Sequence, residues 1–242
     1  IDGTGTTPDA VLKKLIADGG TASSGGMGGM DHGSMGGMGM GAEPWGDAGD
    51  VSYPFFLVNG RPPTDPEVLN AKPGQKVRLR IINAASDTIF TVALGGHRMT
   101  ITDTDGHAVQ PSEVGAFYIG MGERYDAVVT LKDGVFPLVA RPFGKTSGGQ
   151  AMALVRTGGG TAPGADVTPP ELSGQVLIGS QLQPAESAKL PAKAPDATVD
   201  LALQGSMKPY RWGINGAPYG KNEPLTVTAG QRLRINAVNM TM

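Results

Sequence analysis

The chain of 242 residues contains no cysteine. That excludes a disulfide framework, a thiolate nucleophile and any metal site that needs a cysteine ligand. Histidine is nearly as scarce: there are three, His32, His97 and His107, and they share no metal-ligand spacing. Aromatic residues make up 5% and charged residues 17% of the chain, and 20 basic against 22 acidic residues leave a net charge of −2. Such a balance gives no footprint for nucleic acid or an anionic membrane as partner. No apolar run is long enough to span a membrane, and the first residues lack the basic and apolar parts of a secretory signal. G-x-S-x-G, P-loop and H-E-x-x-H motifs are all missing.

What the chain does have is glycine, at 38, and proline, at 19. Together with many short alternating runs they favour an all-β fold with turns and linkers. The most informative stretch is Val58 to Asn83, which recurs 156 residues later as Ile214 to Asn239. Nine of its 26 positions are identical without a gap: Asn59/Asn215, Gly60/Gly216, Pro62/Pro218, Glu67/Glu223, Leu69/Leu225, Gly74/Gly230, Gln75/Gln231, Arg78/Arg234 and Asn83/Asn239. A period of this length is one domain after another rather than a solenoid. Asn-Gly marks a tight turn. Beyond it Val77, Leu79 and Ile81 alternate with Lys76, Arg78 and Arg80, the period of a strand with one buried face. Each copy therefore opens a β-sandwich or barrel domain.

In order along the chain, residues 1–50 hold a short helix and a Met/Gly-rich linker. Thr7 is the helix cap, Pro8 suits its first turn, and Val11, Leu12, Leu15 and Ile16 form one apolar stripe that needs a domain surface to lie on. Residues 51–157 read as a complete domain, with strands expected at 53–58, 76–82, 88–94, 97–102, 114–119, 123–131, 135–141 and 151–156. Residues 158–198 form a Pro/Gly/Ala-rich linker lying extended along the surface, with a short strand at 175–178. Residues 199–242 begin the next domain, with strands at 199–204, 211–215 and 231–238. So short a unit leaves a sheet with an apolar face and free edges.

Candidate chemistry is sparse. Between Met27 and Met40, five of 14 residues are Met and most of the rest Gly. Thioethers are soft donors that select Cu(I), and a neighbouring imidazole adds nitrogen, so Met27, Met30, His32, Met35, Met38 and Met40 are candidate metal ligands; a plain flexible linker is the other reading. His97 and His107 read as capping or surface residues at strand ends. Asp103 and Asp105 flank a turn and read as turn chemistry, and Arg78, Arg80 and Arg98 as a solvated sheet face.

FLVNGRPPTDP, GQKVRLRIIN, GHRMTITDTDGHAVQP and MGERYDAVVTL resemble the middle cupredoxin domain of three-domain multicopper oxidases, in the branch of bacterial laccases and copper-resistance oxidases. WGINGAPY and EPLTVTAGQRLRINAVNMTM resemble the opening of the third domain, and IDGTGTTPDAVLKKL the connection leaving the first. The resemblance implies a cupredoxin-like Greek-key β-sandwich followed by a truncated second cupredoxin-like domain. It also implies copper as cofactor, extracytoplasmic location, and neighbouring cupredoxin domains of the same parent as partners. The parent would oxidise Cu(I) or phenolic reductants and reduce O₂ to water. The family's His-x-His pairs and His-Cys-His run have no counterpart in this sequence, so the chain is expected to be an internal fragment, inactive alone and from an incomplete record. The alternatives are a Cu(I)-sequestering module acting through the Met-rich arm, and a purely structural sandwich.

Overall fold

The computed structural model describes residues 6–18, 49–145 and 147–241. They fall into two units, residues 49–189 and residues 6–18 with 190–241.

The larger unit is a sandwich of two sheets. Its strands are β1 (Glu67–Asn70), β2 (Lys76–Ile82), β3 (Phe90–Leu94), β4 (Met99–Thr104) and β5 (His107–Val114), then β6 (Ala116–Ile119), β7 (Arg124–Thr130), β8 (Val135–Pro142), β9 (Ala151–Arg156) and β10 (Val176–Leu177). One sheet has the order β1-β9-β8-β3-β6-β10 and the other β2-β7-β4-β5. The chain crosses repeatedly between sheets, so sequence neighbours are rarely sheet neighbours, as in a Greek key. β1–β9 and β10–β6 run parallel; the other pairs of the sandwich are antiparallel.

Alternation explains β2 and β7. Val77, Leu79 and Ile81 face the core opposite Val129, Ala127 and Tyr125, while Lys76, Arg78 and Arg80 face solvent. The interior between the sheets is built from Phe56, Phe90, Val92, Leu94, Met99, Ile101, Phe117, Ile119, Tyr125 and Leu131, among others. β3 is buried at every position, because its sheet is covered on both faces. Ala93, Ala116, Val139, Met152 and Leu154 point away from the sandwich interior into a second cluster, closed by Leu172 and flanked by Val167 and Val176. Val167 and Leu172 thus lie over the outer face of the six-stranded sheet, and β10 then joins its edge, which ties this Pro- and Gly-rich stretch to the sandwich.

Several sequence expectations are corrected. Residues 53–58 are not a strand: Val58 makes only an isolated bridge to Arg61, and Phe56 is a plug whose ring meets those of Tyr53 and Phe90 edge to face at 6.1 and 5.4 Å. The expected strand 114–119 is two strands meeting at Gly115, since β5 starts at His107. β1 was not expected at all. His97 lies in the turn before β4 and is buried rather than at the surface.

In the smaller unit, β11 (Ala197–Met207), β12 (Tyr210–Ile214), β13 (Ala217–Pro218) and β14 (Leu233–Asn239) form one sheet of order β13-β12-β11-β14. Helix α1 (Pro8–Ala17) packs against β12 and buries Leu15. Its N-terminus is capped as expected, the Thr7 hydroxyl accepting from Ala10 N–H at 3.2 Å. Paired residues share a face, so Val199, Leu201 and Leu203 line up with Ile235, Ile214 and Trp212 on one side of the sheet. Leu203, Trp212, Ile214 and Ile235 remain exposed.

The repeat preserves its turn geometry and two of its side-chain-to-backbone bonds. Asn59 and Gly60 have φ of 50° and 80°, and Asn215 and Gly216 have 51° and 81°, the left-handed pair a two-residue hairpin turn demands. The Gln75 side chain accepts from Lys72 N–H at 3.0 Å, and that of Gln231 from Thr228 N–H at 2.9 Å. The Asn83 side-chain oxygen accepts from Ala85 N–H, and that of Asn239 from Thr241 N–H, both at 3.0 Å.

Candidate functional site

The six candidate soft ligands, Met27, Met30, His32, Met35, Met38 and Met40, lie outside the described residues. The remaining chemistry is in the sandwich.

His97 sits where the β3–β4 turn meets the segment that follows β7. Its Nδ1 is 2.9 Å from the Gly95 carbonyl oxygen, and its Nε2 accepts from Lys132 N–H at 3.0 Å. The backbone N–H fixes Nε2 as acceptor, so Nδ1 carries the proton and donates to Gly95. The ring stands edge to face on Phe136 at 4.4 Å. Both nitrogens are engaged with the backbone, and the imidazole is a clamp between two loops. His107 begins β5 and is exposed. Among the described residues no three His, Cys, Asp or Glu side chains converge on a common point. With no cysteine in the sequence, these residues do not fit a type 1 copper, which needs a thiolate, nor a histidine-rich cluster.

The acidic pair divides. Asp105 occupies a left-handed turn position with φ of 51° and accepts from Arg124 N–H at 3.1 Å. Asp103 lies 3.6 Å from the Arg78 guanidinium, which also bonds Asp126 at 3.0 Å. Both carboxylates serve turn and sheet-face architecture. Arg98 pairs with Glu113 at 2.6 Å.

The outer face of the six-stranded sheet carries a cavity of about 610 Å³ whose lining includes Thr91, Tyr118, Arg141, Phe143, Gln150 and Asp166. Thr91 pairs with both Tyr118 and Arg141 across adjacent strands, which sets the three side chains in one row. Gln150 is buried and spends both amide hydrogens on the carbonyls of Ala165 and Val167, at 3.1 and 2.8 Å. It thereby pins the overlying segment at the cavity wall. Lys145, also in the lining, bonds Asp87 at 3.1 Å and the Val51 carbonyl at 2.7 Å. The lining mixes aromatic surface with one guanidinium, one ammonium and one carboxylate, a composition for small polar-edged molecules but with no nucleophile or base aimed at a common point.

The side chain that sequence reasoning passed over is Asn83. It is 5% exposed, and its amide nitrogen donates to the carbonyls of Thr88 and Ile119 at 2.8 and 3.0 Å. Its signal was identity with Asn239 across the repeat.

Comparison with known proteins places this architecture. The multicopper oxidase family model matches residues 38–160. The multicopper oxidase MmcO of Mycobacterium tuberculosis is 47% identical over 197 residues, covering 81% of this chain and 39% of that protein. Copper resistance protein A of Escherichia coli is 32% identical over 114 residues, covering 46% of this chain and 19% of that protein. The crystal structure of a laccase from Botrytis aclada superposes with a TM-score of 0.50 at 23% identity, over 63% of this chain and 30% of that one, a likeness of fold. The chain spans about two fifths of the first relative's length and about a fifth of the second's. A cupredoxin-like sandwich, an internal domain repeat and a family match over half the sequence lead to one conclusion: the chain belongs to the multicopper oxidase family.

Proposed function

We propose that this chain is an internal section of a multicopper oxidase that takes electrons from Cu(I) or phenolic reductants and delivers them to O₂. Residues 51–157 are its second cupredoxin-like domain and act as a spacer. Residues 158–198 connect it onward, and residues 199–242 open the next cupredoxin-like domain. The observation that carries this reading is the repeat: turn, side-chain cap and Asx turn recur at a spacing of 156 residues. In the first copy the apolar face of the repeated strand is covered by a second sheet; in the second copy that face is exposed. The copper centres of the parent would be held by residues of neighbouring domains. An extracytoplasmic location is part of the same proposal and follows from the kinship with copper-resistance proteins. Among the described residues no helix is long and apolar enough to cross a membrane.

The test is to express this chain and its full-length parent, load both with copper, and record the blue copper–thiolate absorption and oxygen uptake with Cu(I) or a phenol. Both signals belong to the parent alone. Turnover by the chain itself would overturn the proposal.

A second reading is carried by the Met-rich stretch. Its five methionines and His32 would capture Cu(I) for the parent, or sequester it without turnover. Titration with Cu(I) before and after changing Met27, Met30, Met35, Met38 and Met40 to Leu decides it. Unchanged affinity eliminates the arm.

A further inference from the structure

Three turns place an Asn or Asp and then a glycine in consecutive left-handed positions. They are Asn59-Gly60, Asp105-Gly106 and Asn215-Gly216, with φ of 50° and 80°, 51° and 84°, and 51° and 81°. Asn followed by glycine cyclises readily, because a glycine nitrogen has no side chain beside it to shield it from the carbonyl carbon of the preceding side chain. The three turns share a backbone and differ in how their reacting atoms are held.

Cyclisation engages three groups: the glycine nitrogen as nucleophile, the Asn side-chain carbonyl as electrophile and the Asn amide nitrogen as leaving group. In the Asn215 turn all three are occupied. Gly216 N–H donates to Gln204 Oε1 at 2.6 Å. Asn215 Oδ1 accepts from Ala202 N–H at 2.8 Å, and its amide donates to the Asp200 carbonyl at 3.2 Å. All three partners lie on β11. The Asp105 carboxylate is held too, accepting from Arg124 N–H at 3.1 Å and lying 3.3 Å from the Arg124 guanidinium.

Asn59 and Gly60 are exposed, as Asn215 and Gly216 are. Among the described residues, however, the Asn59 side chain and the Gly60 N–H make no hydrogen bond. The turn is closed by Val58 N–H donating to the Arg61 carbonyl at 3.1 Å and Arg61 N–H to the Val58 carbonyl at 2.9 Å. A closed turn of this type aims the glycine nitrogen away from the preceding side chain, so reaction starts from the opened turn. Opening at Asn59 breaks that backbone pair. Opening at Asn215 breaks the bonds to β11 as well.

We propose that Asn59 is a site of spontaneous deamidation in the folded chain, while Asn215 is held against the same reaction. The Gly60 amide gives up its proton to water or hydroxide, and its nitrogen bonds Asn59 Cγ. The Cγ–Nδ2 bond breaks, and the amide nitrogen takes up a proton and leaves as ammonia. Water then opens the five-membered imide. Cleavage of its bond to Cγ gives aspartate; cleavage at the main-chain carbonyl gives isoaspartate. One water is consumed and one ammonia released, with no oxidant or reductant. Either product adds a negative charge. Isoaspartate also lengthens the main chain of the turn by one carbon, which the Val58–Arg61 closure does not fit.

Val58-Asn59-Gly60 and Ile214-Asn215-Gly216 each carry a β-branched residue before Asn, so the two sites are matched in local sequence and control for each other. The 242-residue chain is held at mildly alkaline pH, with and without strong urea, then digested and mapped by mass spectrometry. Isoaspartate is counted by methylation with an isoaspartyl methyltransferase. In urea the two sites should convert at equal rates. In the folded chain Asn59 should convert about tenfold or more faster than Asn215. Gln204→Ala should speed Asn215 about threefold or more and leave Asn59 unchanged. Asn59→Gln, which would have to close a six-membered ring, should remove the product at that site with the β3 amides still protected from exchange. Equal rates in the folded chain, faster conversion at Asn215, or no effect of Gln204→Ala would overturn the proposal. In the converted chain the Val58 and Arg61 amides should exchange about tenfold faster; unchanged exchange would overturn the effect assigned to the longer turn.

Discussion

Asn83 and Asn239 make the same Asx turn in two settings, so one substitution can be read twice. Asn83→Ala removes three hydrogen bonds: two from its amide to the carbonyls of Thr88 and Ile119, and one accepted from Ala85 N–H. The site is buried, so water does not replace them. At about 1 kcal/mol net for each bond, the larger unit should lose about 3 kcal/mol. Asn239→Ala removes bonds from Thr241 N–H and Thr241 Oγ1 at an exposed position, where solvent takes over, and should cost about 0.5 kcal/mol. Asn83→Asp keeps the acceptor but sets a carboxylate oxygen against two carbonyls, so at neutral pH it should be worse than Ala. The assay is amide exchange under EX2 conditions in mild urea, with β3 amides reporting on the larger unit and β14 amides on the smaller. Equal losses at Asn83 and Asn239, or an Asp variant milder than the Ala variant, would refute the role assigned to the amide donors.

Leu172→Ala should destabilise the larger unit by about 3 kcal/mol, because the residue closes the second apolar cluster over Ala93, Val139 and Met152; urea unfolding measures it. The Tyr125 side chain is buried, and burial, aided by the nearby Glu123 carboxylate, pushes its pKa from 10.0 up to about 12. A raised folded-state pKa gives stability that is complete below the unfolded value and is lost as pH rises toward the folded one. Tyr125→Phe should therefore differ little from the parent chain at pH 7 and outlast it between pH 10 and 12, as pH-dependent melting would show. The Arg232 N–H, and then the Lys193 ammonium, hold the Asp196 carboxyl below its usual range. Its contribution is present above the ordinary carboxylate pKa, roughly pH 4, and is lost as pH falls through the depressed value. Asp196→Asn should flatten that acid limb in the exchange of β14 amides.

Much of this fold was legible in the sequence, and the failures have physical causes. β2 and β7 alternate cleanly because each has one face in the core and one in water. β5 escaped because His107-Ala-Val-Gln-Pro-Ser-Glu-Val carries a proline and little apolar periodicity; it is an edge strand, where a missing N–H is tolerated. Residues 53–58 looked like a strand because they are aromatic, yet Pro54 removes a donor and Phe56 turns inward as a plug. Leu172 stood alone among prolines and glycines, with no pattern to announce that it is buried. At the site level, the missing cysteine and scattered histidines already argued against a copper centre built from this chain. The buried clamp at His97 and the three bonds of Asn83 depend on contacts between residues far apart in sequence, and no local pattern encodes them.

The central claim is that this chain shapes a multicopper oxidase without supplying its copper–thiolate centre. Oxygen uptake by the copper-loaded chain beside its copper-loaded full-length parent tests it most directly, with Cu(I) and a phenol as reductants. The account predicts steady uptake by the parent, abolished by a copper chelator, and none above buffer for the chain. Chelator-sensitive uptake by the chain alone, or a parent that takes up no oxygen when fully loaded, would contradict it.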